Sequence, residues 1–381
     1  MKVPLYKQIY ENILQKIQTG ELKHGDKIPS EKELADGFQV SRITSKKALD
    51  LLAQEQIIER VQGKGSFVNY LVEETENMLN SIQTLGVKKE LTIGLVLPGF
   101  SDSYGAKLVQ SIENNTSKYG ANLLIKLTRD KIEDEEKAIE ELVEAGVKGI
   151  IIMPIHGEHY NHKILELVLK KFPIILVDRY LRGIQANAVF TDNINASKKA
   201  TEYLMSLGHQ YIAYITPPYD GTTVLEDRMK GYQLAHTEQH KPLNPDYIFT
   251  NDGSDLAFIN NKKREYEIEI ENMRNFILNH PEITAFVACR NAFATILLHV
   301  IESLDKKVPE DYSIVCFDGM HSIIGKHPFT HIKQLEDEMG AITVKRLISQ
   351  INGEENIKTE LMNFDLIEGL STASIKAPVK N

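Results

Sequence analysis

The chain has 381 residues, 42% of them hydrophobic and 25% charged, which is enough for two or three domains with a large core. Its net charge of −9 does not suit a protein that binds nucleic acid along its whole length. No apolar run approaches the ~20 residues of a membrane span, and the start, MKVPLYKQIYENIL, lacks the pattern of a signal peptide. The two cysteines, Cys289 and Cys316, are interpreted as buried free thiols. These features predict a cytoplasmic protein.

The charge is unevenly distributed along the sequence. Residues 1–70 hold 11 Lys/Arg and 9 Asp/Glu, whereas the remainder of the chain holds 33 Lys/Arg and 44 Asp/Glu. A positive surface is therefore confined to the N-terminal part, and the acidic remainder repels DNA. This pattern predicts salt-dependent DNA binding with little indiscriminate affinity.

The segment 26–68 begins with the signals of two short helices separated by a tight turn. Ser30 followed by Glu33 forms a capping-box pattern at the start of the first helix. The turn is predicted at 38–40, and Ser41 is placed to cap the second helix. This order indicates a helix-turn-helix unit.

The second helix is basic at its start and is followed by a predicted β-hairpin. Its first turns carry positive and hydroxyl side chains: Arg42, Thr44, Ser45, Lys46 and Lys47. Residues 57–61 and 66–68 are predicted strands, joined by the Gly-Lys-Gly tip at 62–65. A small helical packing unit would explain each signal alone, but the whole order favours a winged helix-turn-helix domain that places one helix in the major groove.

Residues 5–68 resemble the DNA-binding domain of the GntR family. The resemblance implies DNA contacts from the following residues: Lys32, Ser41, Arg42, Thr44, Lys46 and, in the wing, Gln62, Gly63 and Lys64. Lys32 and Lys46 stand where the family usually has arginine, and Ile43 stands where it usually has threonine or a similar residue. A lysine is a point charge rather than a bidentate fork, so these departures leave open which bases are read.

Three regions are predicted along the chain. A winged helix-turn-helix domain occupies 1–69, an inter-domain linker 70–90 and a ligand-binding and dimerisation domain 91–381. The linker is polar and weakly periodic, and a clear strand follows it at 92–97.

From Leu91 onward, short apolar strands alternate with amphipathic helices. Strands are predicted at 92–97, 121–127, 149–153, 174–178, 188–191, 211–215, 284–288 and 312–317. Helices are predicted at 103–119, 132–145, 160–171, 193–207, 224–238, 262–279, 292–304 and 336–351. The alternation indicates an α/β fold of parallel sheets, and its length favours two doubly wound lobes.

Residues 91–375 resemble the LacI-type effector domain, which is similar to periplasmic sugar-binding proteins. The segments that carry the resemblance include FPIILVDR, RMKGYQLA, PEDYSIVCFDG and FTHIKQLEDEMG. The resemblance implies two lobes joined by crossing strands, with a small ligand between them and a return to the first lobe near residues 320–345.

The same resemblance implies a set of ligand-binding side chains, most of them at strand ends, with Arg228 at the start of the RMKGY helix and Gln334 in the return segment. They are Asp102, Ser103, Tyr104, Asp178, Arg179, Arg228, Arg290, Asn291, Asp318 and Gln334. Carboxylates, guanidinium groups, amides and an aromatic ring are the groups that bind a sugar in a fixed geometry. For any single aspartate, a helix cap is the alternative interpretation.

Arg290 departs from the family pattern, which usually has asparagine at this position. A guanidinium in the cleft would suit a phosphorylated or acidic sugar. Alternatively, Arg290 pairs with Asp318 or another carboxylate, and the ligand is neutral. A neutral or weakly polar monosaccharide is the favoured interpretation.

No enzyme or cofactor motif stands out in the sequence. There is no phosphate-binding loop, HExxH, CxxC or GxSxG pattern, and no cofactor is predicted. His156, His159 and His162 form one cluster with a possible metal spacing, but a solvated loop is the favoured interpretation and no metal is predicted. A redox-sensing cysteine pair stays as a less common alternative.

The sequence thus predicts a transcriptional regulator without enzymatic activity. The regulator binds a palindromic operator as a homodimer. A small carbohydrate between the effector lobes releases the protein from the operator or alters its state there. Four alternatives stay open: a response to an anionic metabolite such as a sugar phosphate or uronic acid, activation in place of repression, a non-regulatory binding protein, and an enzyme that uses the cleft of the α/β lobes.

Overall fold

The computed structural model describes residues 5–18, 21–54, 57–61, 64–69, 91–155, 161–250, 263–320, 325–354 and 356–375. Their contacts divide the chain into two compact units, Met1–Lys89 and Glu90–Asn381. The predicted linker at 70–90 lies outside the described residues.

The described residues of the N-terminal unit form three helices and a small antiparallel sheet. The helices are α1 (Leu5–Gln18), α2 (Glu31–Phe38) and α3 (Arg42–Gln54); the strands are β1 (Lys27–Ile28), β2 (Ile58–Val61) and β3 (Gly65–Val68), in the order β1-β3-β2. One face of each helix packs into a core formed by Ile9, Ile13, Leu34, Leu49 and Leu52 with their neighbours. This is the predicted winged helix-turn-helix architecture.

Local chemistry fixes the turn between α2 and α3. Ser30 and Glu33 form both bonds of the capping box that the sequence predicts. Gln39 ends α2 in the left-handed region at φ 54°, which reverses the chain within one residue. The amide of Val40 then donates to the carbonyl of Ala35 at 2.9 Å, so the turn is closed by the backbone.

The first lobe of the C-terminal unit is a six-stranded sheet with helices on both faces. Its strands are β4 (Leu91–Leu97), β5 (Ala121–Leu127), β6 (Gly149–Ile152), β7 (Ile174–Val177), β8 (Asn187–Thr191) and β14 (Thr359–Met362), in the order β14-β8-β7-β6-β4-β5. Its helices are α4 (Ala106–Lys118), α5 (Ile132–Glu144), α6 (His162–Leu169) and α11 (Glu336–Ile351). All of its strand pairs are parallel.

The second lobe repeats this architecture. Its strands are β9 (Ile212–Thr216), β10 (Ile248–Thr250), β11 (Ala285–Ala288), β12 (Ser313–Phe317), β13 (Thr330–Gln334) and β15 (Phe364–Ile367), in the order β10-β9-β11-β12-β13-β15. Its helices are α7 (Asn193–Ser206), α8 (Thr223–Glu238), α9 (Lys263–Asn279) and α10 (Asn291–Ser303), and a short 3-10 turn covers Pro245–Tyr247. Only β13 and β15 pair antiparallel among its described strands.

The chain crosses between the lobes three times. It leaves the first lobe between β8 and α7, returns between β13 and α11, and leaves again between β14 and β15. The predicted two-lobed α/β fold and the return near 320–345 are therefore confirmed. Within the part of the chain that the structure describes, no helix is long and apolar enough to cross a membrane.

Four strands of the C-terminal unit were absent from the sequence-based assignment: β10, β13, β14 and β15. Each has only three to five residues, and β13 reads THIKQ, with polar side chains on both faces. Such segments lack the apolar run that marks a buried parallel strand. Their place in the sheets comes from pairing with strands far away in the sequence.

Candidate functional site

The start of helix α3 is held in place by hydroxyl groups. The Ser41 hydroxyl accepts a hydrogen bond from the amide of Thr44 at 3.2 Å and lies 2.8 Å from the Thr44 hydroxyl. The buried Ser45 hydroxyl donates to the carbonyl of Glu31 at 2.7 Å. The predicted cap is therefore present, and α3 is joined to the first turn of α2.

Ion pairs attach the wing to both helices of the motif. Arg60 on β2 forms an ion pair with Asp50 on α3 and another with Glu31 on α2. On the other side of α3, the ammonium of Lys47 lies 4.4 Å from the centre of the Tyr6 ring. These contacts fix the wing and the basic helix as one surface.

The predicted DNA-contacting cations lie on the outside of this surface. Lys32, Arg42, Lys46 and Lys64 are all exposed, and Ser41 and Thr44 lie beside Arg42 at the start of α3. The remaining two predicted contacts, Gln62 and Gly63, lie outside the described residues.

In the C-terminal unit, two aspartates occupy equivalent places in the two lobes. Asp178 follows β7 of the first lobe, and Asp318 follows β12 of the second. Both are buried and both have left-handed backbones, with φ of 66° and 64°. A left-handed residue with a side chain carries strain, which is more common at functional sites than elsewhere.

Asp318 belongs to a hydrogen-bond chain that connects the two lobes. The Gln334 amide donates to its carboxylate at 2.8 Å, and the Thr191 hydroxyl donates to the Gln334 side-chain oxygen at 2.7 Å. Asn291 donates to the Asp318 carbonyl at 3.3 Å. Burial raises the pKa of Asp318 to about 7, although the nearby Arg228 guanidinium acts in the opposite direction.

Asp178 is the centre of a corresponding group of hydrogen-bonded side chains in the first lobe. The Tyr104 hydroxyl donates to its carboxylate, and the Arg179 Nε atom lies 3.4 Å from the other oxygen. Burial and the Asp178 charge raise the pKa of Tyr104 well above its usual value, so the phenol stays a donor. Arg179 also donates to the carbonyl of Pro154 at 2.6 Å, and burial lowers its pKa.

Arg228 is buried and has three partners within the second lobe. Its Nε atom donates to the Asn193 side chain at 2.8 Å, and its Nη1 atom donates to the carbonyl of Cys289 at 2.7 Å. Its guanidinium also stacks 3.8 Å from the centre of the Phe317 ring. These contacts hold the planar fork in a fixed orientation.

A close helix contact determines how deep Arg228 lies. A Cβ atom at Gly231 would come within 2.1 Å of the Ile194 carbonyl and 2.8 Å of Ser197. Glycine is therefore required where α8 crosses α7. This accounts for the glycine in RMKGY, three residues after the arginine.

A cavity of about 410 Å³ adjoins these groups where β13 passes into α11. Ser103, Asp318 and Gln334 contribute to its wall together with Lys107, Glu336 and His331. Asp102 is exposed to solvent in the turn before Ser103, and Arg290 is half-buried at the start of α10. The structure thus brings most of the predicted ligand-binding residues to the facing ends of the two lobes, with Asp102 at the margin.

A second group of inter-lobe contacts was missed from the sequence. The Tyr180 hydroxyl donates to Asp227 at 3.2 Å, Thr223 donates to the Tyr180 carbonyl at 2.9 Å, and Arg182 pairs with Glu226 at 2.5 Å. Tyr180 and Arg182 follow β7 of the first lobe, whereas the other three lie on α8 of the second. These contacts form a latch between the lobes.

Glu336 was also missed, although it lies two residues after Gln334. Its carboxylate accepts hydrogen bonds from the amides of Gly105 and Leu108 at 2.7 and 3.3 Å, so it caps α4 from a distant part of the sequence. Burial raises its pKa. The acidic run EDE at 336–338 was the available signal, but it reads as the ordinary first turn of a helix.

Among the residues that the structure describes, the remaining candidates from the sequence form no reactive centre. Cys289 and Cys316 are fully buried free thiols, and burial raises the pKa of Cys316, which favours structural thiols over redox sensors. His156 and His159 lie outside the described residues, and His162 begins α6.

The site therefore combines acids, amides, guanidinium groups and one phenol at a boundary between two lobes. Such a set can accept and donate hydrogen bonds around a small polar molecule and exclude water when the lobes close. The basic face of the N-terminal unit can contact phosphates and base edges of a duplex.

Family models match both parts of the chain. Residues 5–68 match the family of bacterial regulatory proteins of the gntR type, and residues 201–372 match the periplasmic binding protein-like domain. The chain is 29% identical to the arabinose metabolism transcriptional repressor of Geobacillus stearothermophilus over 355 residues, which cover 92% of each chain.

Solved structures share the fold. A LacI family transcriptional regulator from Enterococcus faecium with bound ribose is 24% identical, with a TM-score of 0.61, over 75% of this chain and all of that chain. The lac repressor dimer bound to operator and an anti-inducer is 20% identical, with a TM-score of 0.62, over 77% of this chain and 98% of that chain. The chain is thus a DNA-binding transcriptional regulator that joins a GntR-type helix-turn-helix domain to a periplasmic-binding-protein-like domain.

Proposed function

We propose that the protein represses sugar-utilisation genes by binding a palindromic operator as a homodimer, and that a small carbohydrate in the inter-lobe cleft ends repression. The observation that carries this proposal is the Thr191–Gln334–Asp318 chain, in which two candidate ligand-binding groups of the second lobe are hydrogen-bonded to the first lobe. Any molecule bound to Asp318 and Gln334 therefore alters how the lobes meet.

The proposed mechanism is a shift of population between two arrangements of the lobes. A ligand changes that population only by the difference in its affinity for the two states. A carbohydrate that contacts Asp178 of one lobe and Asp318 of the other binds the closed state more tightly. Repression ends if this closed state is the one that binds DNA less well.

The DNA contacts are proposed for the exposed cations of the N-terminal unit. Arg42 at the start of α3 suits a guanine edge or a phosphate, and Lys32, Lys46 and Lys64 suit phosphates. We assign Gln62 and Gly63 to the wing contact on the family resemblance. Because chromosomal DNA is the partner, the proposed place of action is the cytoplasm.

A homodimer is proposed from the fold and from an exposed strand. β5 forms one edge of the first lobe's sheet, and Leu124, Ile125 and Leu127 are exposed on it. An open apolar edge is a common place for association of two copies. Analytical ultracentrifugation at several concentrations tests the proposal, and Ile125→Glu should shift the protein towards the monomer.

The effector is proposed to be a neutral monosaccharide. Arabinose and ribose appear in the names of the similar repressor and the sugar-bound structure, and the cleft offers the acceptors and donors that sugar hydroxyls require. A thermal-shift screen with L-arabinose, D-ribose, sugar phosphates and uronic acids tests this class. A rise in melting temperature with the anionic compounds alone would contradict the neutral assignment.

An anionic effector is the second candidate, and one observation favours it. Burial lowers the pKa of Arg179 most, the adjacent Asp178 charge acts in the opposite direction, and the positive charge of Arg290, in the second lobe, lowers that pKa further. An anion between these guanidinium groups would relieve their repulsion. Arg290→Asn should then weaken the binding of the anion by about 1.5–3 kcal/mol and change the affinity for a neutral sugar little.

We further propose that the cleft binds its ligand without converting it. Its acids hold partners that position them for binding: Asp178 accepts from Tyr104, and Asp318 accepts from Gln334. Mass spectrometry of each sugar that binds, before and after prolonged incubation with the protein, tests this proposal. A new product would contradict it.

A further inference from the structure

Ile43 is an apolar side chain at the start of the DNA-binding helix, and 80% of its surface is exposed. Helix α3 turns Ser45, Ala48, Leu49 and Leu52 into the unit's interior. Ile43 lies on the other side and belongs neither to the core of this unit nor to the half-buried residues around it. Burial in the folded protein therefore does not explain an isoleucine at this position.

A single exposed isoleucine is ordinary on a protein surface, so its surroundings decide its meaning. Its neighbours in the first turn already have local roles. Ser41 and Thr44 bond to each other, and Ser45 bonds to the carbonyl of Glu31. Ile43 is also β-branched, which makes it a weaker helix former than the straight-chain residues that commonly occupy exposed helix positions.

Ile43 stands between two exposed cations of the same surface. Arg42 precedes it, and Lys46 follows three residues later, on an adjoining part of the helix face. The two cations suit phosphates and acceptor atoms of bases, whereas Ile43 can bind neither. It needs an apolar group on the same partner.

The major groove of DNA offers one such group on a base edge, which is the C5 methyl of thymine. We propose that Ile43 is a specificity-determining residue that packs against the C5 methyl of one thymine in each operator half-site. This inference rests on the proposed DNA-binding role of α3. It deepens that role by assigning one base and one atom of the operator.

The size of the effect follows from burial of one methyl group. Removal of that contact weakens binding by about fourfold for one half-site. In a symmetric complex with two half-sites, the loss is about 16-fold. A cytosine at the same place lacks the methyl group and carries a different hydrogen-bonding pattern, so it is disfavoured as well.

The test uses the full-length protein and a duplex selected from a random-sequence pool by repeated binding and amplification. Each thymine of the selected half-site is then replaced by deoxyuridine, symmetrically in both halves, which removes only the methyl group. We expect one position at which the replacement weakens binding by about 16-fold. The Ile43→Ala protein should bind the thymine duplex more weakly and show no loss at that position.

Leu5→Ala is the matched control, because Leu5 is an exposed apolar residue (54%) of the same unit and lies on α1. This variant should keep the full response to deoxyuridine. Equal responses of the wild type and Ile43→Ala at every thymine would overturn the proposal. Selection of no duplex at all would instead overturn the DNA-binding role on which it rests, so the two failures are distinguishable.

Discussion

The proposed DNA-binding face of the N-terminal unit (Lys32, Arg42, Lys46 and Lys64) and the proposed ligand-binding cleft between the lobes present their side chains in opposite ways. On the DNA-binding face, Arg42 and Lys46 are exposed, and one continuous segment of the chain supplies the whole surface. In the cleft, Arg228 and Asp318 are buried and have several partners each, and the segments that supply them are far apart in the sequence.

This difference has a consequence for substitutions. An exposed cation can be removed without leaving a buried group unpaired, so function and stability separate. A buried residue of the cleft supports the fold and the ligand together, because each of its partners would lose a hydrogen bond. Substitutions on each surface test how strictly the two surfaces follow this division.

The largest effect is expected from Arg42→Ala. Loss of a charged hydrogen bond costs about 1.5–3 kcal/mol in each half-site, and a symmetric dimer loses it twice, so operator binding should weaken by about 3–6 kcal/mol. The melting temperature and the sugar affinity should stay unchanged, because Arg42 is exposed. Fluorescence anisotropy with the selected duplex measures the loss, and Arg274→Ala on α9 of the other unit is the control. A lower melting temperature would show that Arg42 supports the fold.

Arg228→Lys should affect ligand and fold together. Lysine keeps the charge but cannot reproduce the bonds to Asn193 and Cys289 with one planar group. We expect sugar affinity to fall by about 2–4 kcal/mol and the effector domain to lose about 1–3 kcal/mol of unfolding free energy. Calorimetric titration and denaturant unfolding measure the two. A normal unfolding free energy with lost affinity would contradict the coupling.

Asp318→Asn should weaken sugar binding by about 1.5–3 kcal/mol at pH 8, because sugar hydroxyls donate to the ionised carboxylate. The wild-type protein adds a pH dependence. With a pKa of about 7, Asp318 takes up a proton as the pH falls from 8 to 6, so the affinity should fall by about tenfold. Asp318→Asn should remove this dependence. An affinity that rises towards pH 6 would mean that the protonated acid donates to the ligand.

The division between local and distant partners also explains what the sequence could predict. The capping box at Ser30, the turn at Gln39 and the cap at Ser41 all depend on residues within a few positions, and the structure has each of them. The alternation of strands and helices after Leu91 is likewise a local signal, and the fold class was predicted correctly from it.

The family resemblance supplied cleft residues such as Arg228 on α8 and Gln334 on β13, whereas the residues alone predict a cleft position only where one follows a recognisable strand. Asp178 and Asp318 satisfy that condition, whereas Tyr180 and Asp227 meet across the lobes from segments that give no local hint. In the sequence, Glu336 belongs to the acidic first turn of its own helix, α11, yet in the structure its carboxylate caps α4. Contacts between segments that are distant in the sequence decide these roles. The periodicity of apolar residues carries no information on such contacts.

The smallest effect is expected from the latch, and it tests whether half-exposed contacts of the cleft act on function alone. Tyr180→Phe removes the hydroxyl that bonds to Asp227, a bond made only when the lobes meet. The closed state should lose about 0.5–1.5 kcal/mol, and sugar affinity should fall by the same amount because the ligand binds that state. Each lobe keeps its own core, since the aromatic ring still stacks on Phe190, so the unfolding free energy should change little.

Calorimetric titration measures the affinity, small-angle scattering with and without sugar measures closure, and Tyr119→Phe on the exposed end of α4 is the control. An unchanged affinity together with an unchanged degree of closure would show that the latch contributes nothing to the balance between the two states.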